Sequence, residues 1–138
     1  MTATQRKPMP PASGFAEHAA AFTTFQSLER GVPAAWVRSL ETQGLTRADI
    51  RRIIPDRTLD RRIAKGEMLK IEEADGLARL LRVVKAARDL FQNGENADGW
   101  LRNPIPTLGD RIPIEMAQTD IGAREVEAVL GRIAHGIY

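Results

Sequence analysis

Residues 71–91 read IEEADGLARLLRVVKAARDLF, and the fold turns on this stretch. Leu77, Leu80, Leu81, Val84 and Phe91 fall on one helical stripe, with Val83 and Leu90 widening it. Apolar residues at that period predict an amphipathic helix, and a stripe this broad predicts a central helix with neighbours on two sides. Glu72, Glu73 and Asp75 put carboxylates at the positive end of its dipole. Gly94, after Asn93, marks its end.

Working towards the N-terminus, Asp56 is a candidate cap for a helix that buries Leu59 and Ile63, with Gly66 as its stop. Arg57, Arg61, Arg62 and Lys65 then point away from the core. Just before it, Thr46 with Asp49 three residues on forms an approximate capping box, Ile50, Ile53 and Ile54 supply a buried side, and Pro55 closes that helix. Two short helices joined by a tight turn have the outline of a helix-turn-helix, although any helical bundle can produce such a pair. Trp36, Val37 and Leu40 give another apolar face between Pro33 and Gly44, and Phe15, Ala19, Phe22 and Phe25 predict a helix over 15–30 that stops at Gly31. Residues 1–14, with three prolines and a glycine, read as a disordered arm.

Towards the C-terminus, a short helix carrying Trp100 and Leu101 precedes Asn103-Pro104. The run to Pro113 holds too many breakers for regular structure and must be pinned by packing. Pro113 can open a short helix through Ile114 and Met116, and a last helix runs from about Ile121 to Ala134. Val126, Val129, Leu130, Ile133 and Ile137 keep its rhythm.

Composition narrows the function classes. The 138 residues suit one compact all-α domain, and 43% apolar with 28% charged residues is ordinary globular usage. Without cysteine there is no disulfide or thiolate metal site. His18 and His135 are far apart and no phosphate loop is present, so no catalytic arrangement and no cofactor is expected. No secretory signal and no stretch of roughly 18 apolar residues is found, which leads us to expect a soluble cytoplasmic protein.

The net charge is only +2, but residues 46–70 hold eight basic against four acidic residues. Such a cluster on a helix-turn-helix outline suits phosphate neutralisation, with Arg57, Thr58, Arg61, Arg62 and Lys65 as the candidate DNA-binding residues. A solvated basic face is the alternative. At the other end, Ile133, Ile137 and Tyr138 form either a protruding apolar tip for another protein's pocket or ordinary core packing.

RTLDRRIAKGE (57–67), EEADGLARLLRVVKAARDLF (72–91), WLRNPIPTLGDRIPIEM (100–116) and GAREVEAVLGRIAHGIY (122–138) together resemble the Xre/MbcA/ParS toxin-binding family, the ParS branch most of all. The resemblance covers roughly residues 46–138. It implies an all-α fold with an Xre-like helix-turn-helix over 15–70 and a toxin-binding domain over 71–138. It also implies an antitoxin partnered with a RES-domain toxin that degrades NAD or transfers its ADP-ribose, a homodimer that joins the toxin in a hetero-oligomer, and repression of its own operon through operator DNA. The positions matching the family's toxin contacts are Asn103, Pro104, Leu108, Gly109, Arg111, Pro113, Arg132, Ile133, His135, Gly136, Ile137 and Tyr138. Asp110 stands where relatives carry a second glycine, which bears on the shape of that loop.

Overall fold

The computed structural model describes residues 18–137, and every regular element among them is helical. The expected arm and Tyr138 lie outside the described residues. The helices are α1 (Phe25–Arg30), α2 (Arg47–Arg51), α3 (Asp56–Ala64), α4 (Ile71–Phe91), α5 (Gly94–Leu101), α6 (Pro113–Met116) and α7 (Asp120–Ala134), with 3-10 segments at Ala34–Gln43 and Pro106–Leu108.

The broad stripe of α4 is the spine. Leu77, Leu80, Leu81, Val83 and Val84 are buried, and α4 packs against α1, the Ala34–Gln43 segment, α5, α6 and α7. One continuous apolar core runs from Ala19 to Leu130 and joins both halves of the chain. Its polar margin is stitched by arginines of α4. Arg82 donates to both oxygens of Glu127 on α7, at 2.6 and 3.2 Å, and Arg79 donates to the Gln118 carbonyl at 3.0 Å. Within the N-terminal half, the Ala34 N–H donates to the Glu67 carbonyl and the Leu69 N–H to the Val32 carbonyl, so the chain after α3 returns beside the chain after α1.

Three local expectations are corrected. The helix expected over 15–30 breaks at Thr23-Thr24, because Thr24 Oγ1 accepts the Ser27 N–H and starts α1 afresh. Phe22 stays buried while Phe25 is turned out, 69% exposed. Ala34–Gln43 winds as a 3-10 helix, where the Ser39 and Thr42 hydroxyls donate to the carbonyls three residues back, in step with the tighter turn. The residue preceding α3 is Pro55 and not Asp56, whose carboxylate accepts from Arg51 instead.

Candidate functional site

The last helix ends in a way that fixes its tip. Thr119 Oγ1 accepts the Gly122 N–H at the start of α7, and Ala123, Val126, Val129 and Leu130 bury one face. At the far end Gly136 turns left-handed at φ 73°. Its N–H donates to the Ile133 carbonyl, and the Ile137 N–H donates to the Arg132 carbonyl at 2.7 Å. These two bonds are the Schellman pattern, in which the residue after the glycine packs on the side chain five positions back. That position is Arg132, so the motif supplies Ile137 with no apolar partner among the described residues, and Ile137 is 58% exposed. Arg132 and His135 are exposed and Ile133 is half-buried. Ordinary core packing thus holds for Val126, Val129 and Leu130 but not for Ile137.

The breaker-rich loop is ordered by its own backbone. The Ile105 N–H donates to the Arg111 carbonyl and the Asp110 N–H to the Ile105 carbonyl, both at 3.0 Å. Gly109 and Asp110 are consecutive left-handed residues, at φ 69° and 60°. Asp110 therefore occupies a conformation that glycine enters freely and aspartate tolerates, so the loop keeps its shape at some conformational cost. Leu108 plugs the core, and the Pro106–Leu108 turn packs against α7, which joins the loop to the last helix. Pro113 is buried in the first turn of α6. Asn103 donates its amide to the Gly99 carbonyl at 2.7 Å, while Pro104, Gly109 and Arg111 face solvent. Pro104, Asp110, Arg111, Ile112, Glu115 and Met116 line a shallow pocket of about 440 Å³.

Two residues beneath this surface were not among the sequence candidates for the site. Arg102, immediately before Asn103, donates through both terminal nitrogens to the two oxygens of Asp49, each at 2.8 Å. Asp49 also accepts the Thr46 N–H, while the Thr46 hydroxyl accepts the Asp49 N–H, which completes the expected capping box. Burial pushes the Asp49 carboxyl up, but the Arg102 hydrogen bonds, the Thr46 N–H and the Arg102 charge outweigh it and hold it below its ordinary value. The Asp49 hydrogen bond and charge raise Arg102 in turn, against the opposing effect of its own burial. The capping box was legible in sequence, whereas a partner 53 residues away carries no local signal.

The basic face divides. Arg57 and Arg61 on α3 and Lys65 at its C-terminal cap lie four residues apart, all exposed, and none has an ion pair among the described residues. Thr58 is half-buried. Arg62 is corrected: its guanidinium is buried and bonded to Glu73 of α4, whose carboxylate also accepts the Lys70 N–H. It holds α3 against α4 and is not part of an outward face. Among the described residues no cluster of potential metal ligands forms, and no helix is long and apolar enough to cross a membrane.

The family model described as Antitoxin Xre/MbcA/ParS C-terminal toxin-binding domain matches residues 86–136, from within α4 to the glycine of the tip. A Pseudomonas putida protein named Antitoxin Xre is 32% identical over 121 residues, covering 87% of this chain and 76% of that protein. A Yersinia enterocolitica protein of the same name is 40% identical over 86 residues, 62% of this chain and 58% of that protein, so the likeness spans little more than half of it. A Sphingobium protein named Prs ADP-ribosylating antitoxin is 27% identical over 90 residues, 59% of this chain and 57% of that protein. The likeness to the Pseudomonas protein runs through most of both chains and the domain match takes in both the loop and the last helix, so this chain belongs to the Xre antitoxin family and carries its C-terminal toxin-binding domain.

Proposed function

We propose that this protein neutralises a RES-domain toxin encoded beside it by lodging its C-terminal end at the mouth of the toxin's NAD-handling site, without chemistry of its own. The observation that carries the reading is the tip: an apolar side chain, Ile137, exposed at the end of α7 where two backbone bonds close the turn. An exposed apolar anchor with a fixed backbone is what a desolvated pocket rewards. Tyr138 follows it in sequence and adds a phenol that can pair with the polar groups a toxin needs to hold NAD. Arg132, Ile133, His135 and Gly136 flank the tip, and Asn103, Pro104, Gly109 and Arg111 make the second contact area, with buried Leu108 and Pro113 supporting it from beneath. The Sphingobium relative, with ADP-ribosylation in its name, fits a toxin that works on NAD.

In this reading residues 71–138 act as the toxin-binding unit, the antitoxin works in the cytoplasm as a homodimer within a larger complex, and the Arg57, Arg61 and Lys65 stripe grips operator DNA to repress the operon. That stripe also favours a second reading, a stand-alone repressor whose C-terminal half only dimerises. Co-expression with the neighbouring gene product separates the two, since an antitoxin co-purifies with it and a stand-alone repressor does not. Titrating full-length protein and a form lacking Gly136, Ile137 and Tyr138 against the toxin, while following NAD loss or ADP-ribose transfer, then tests the tip. Equal inhibition by both forms would remove it from the mechanism.

A further inference from the structure

We propose that α2 is the seat of the Asn103–Pro113 loop, and that Asp49 and Arg52, both outside the matched toxin-binding domain, are positioning residues for toxin binding. The toxin part of this statement rests on the function proposed above; the positioning part does not.

Both feet of the loop are tied to the same short helix. Arg102, one residue before the loop, grips Asp49 through two charge-assisted bonds and reaches the Gly44 carbonyl at 3.4 Å. Glu115, two residues after the loop, accepts from Arg52 at 3.5 Å, at the C-terminal end of α2. The two ties differ in strength. A forked guanidinium on a buried carboxylate fixes direction as well as distance, whereas the half-exposed Arg52–Glu115 pair is a weaker guide. The loop's internal bonds between Ile105, Asp110 and Arg111 close it upon itself but do not determine where it stands against the helices. The feet do that at its two ends, while buried Leu108 pins its middle against α7, and α2 is itself held by its capping box and by buried Ile50 and Ile54. The candidate toxin surface is thus completed by the N-terminal half of the chain.

The test uses the full chain with Asp49→Asn, which keeps the size and an acceptor for Thr46, and Arg102→Lys, which keeps the charge but loses the fork. Amide exchange at Ile105 and Asp110 should accelerate about tenfold or more in each variant, and toxin affinity should fall by a similar factor. The Ala123 amide of α7 should exchange as in wild type. The double variant should be little worse than either single one, because both remove the same interaction. Leu59→Ala, which loosens buried packing away from the loop, should lower the melting temperature and leave toxin affinity unchanged, so that lost stability alone is excluded as the cause. Should Asp49→Asn fail to fold, Arg52→Ala releases the exposed foot and is read at the same amides. Wild-type exchange at Ile105 and Asp110 in these variants overturns the proposal. Faster exchange with undiminished toxin affinity keeps α2 as the loop's seat and instead refutes the loop as a toxin contact.

Discussion

One guanidinium satisfies both oxygens of a carboxylate 53 residues away: Arg102 donates to Asp49 at 2.8 Å twice. The folded chain therefore holds Asp49 ionised below the pH at which the unfolded chain releases it. A carboxyl with a depressed folded pKa contributes stability that is fully present above its unfolded value and is lost as pH falls through the folded one. Asp49→Asn should cost about 2–3 kcal/mol near neutrality, somewhat less than removing one partner of a fully buried pair, because Arg102 retains some access to water. The difference between variant and wild type should shrink below roughly pH 4, in urea midpoints taken across the acid range. A difference that stays constant with pH would show that Asp49 acts by shape and not by charge.

Two glycines of α7 should respond in opposite directions. A Cβ on Gly122 would lie 1.9 Å from the Met116 carbonyl oxygen, a backbone atom that cannot swing aside, so Gly122→Ala should cost at least about 3 kcal/mol. Gly131 has nothing within 4 Å of its added Cβ, and Gly131→Ala should gain about 0.5–1 kcal/mol by suiting the helix better. Thermal melts of the two variants decide this; equal shifts would mean that the α6–α7 connection yields.

The spine of the fold was legible because α4 repeats its apolar residues over 21 positions, long enough for the period to dominate. The short helices at Pro113 and after Thr46 were legible from their caps. What escaped was set by competition between neighbours. Thr24 carries a hydroxyl that restarts a helix, and this overrides the Phe22–Phe25 spacing. Arg62 looks like Arg61 in sequence, and only the approach of Glu73 across the α3–α4 turn draws it inward. At the candidate site, the loop's closure and the exposed Ile137 follow from backbone bonds near in sequence, whereas the Arg102–Asp49 contact needs the whole fold to bring it about.

Asp110 bears a cost that glycine would avoid. It sits at φ 60° next to Gly109, also left-handed. Asp110→Gly should be neutral or stabilising by up to about 1 kcal/mol, the gain in the folded loop being offset by the greater freedom of glycine when unfolded. Asp110→Val, branched at Cβ, should lose about 1–2 kcal/mol. Calorimetric melting of the pair checks the order; a valine variant as stable as wild type would show that the loop can adopt another backbone course.

The division of the basic face gives a test in salt. Replacing Arg57 and Arg61 by Ala should weaken operator binding and reduce the slope of log affinity against log salt by about 2, roughly 0.9 for each phosphate no longer neutralised. Arg62→Ala should instead lower the melting temperature, because it leaves the Glu73 charge with only the Lys70 N–H as a partner. An unchanged slope in the first variant would mark Arg57 and Arg61 as a solvated face.

The turn at Gly136 bears on time as well as shape. A tip whose N–H groups are already bonded within its own helix has little conformational freedom left to surrender, so docking spends its binding energy on contact and desolvation. Gly136→Ala adds a methyl group into open space, yet strains a left-handed residue and should fray the tip. The complex should then form at nearly the wild-type rate and come apart severalfold faster, as is usual when an interface is altered without changing its charge. Stopped-flow association and dissociation of the two forms would reveal it, and an unchanged residence time would mean that the end of the helix is remade on binding.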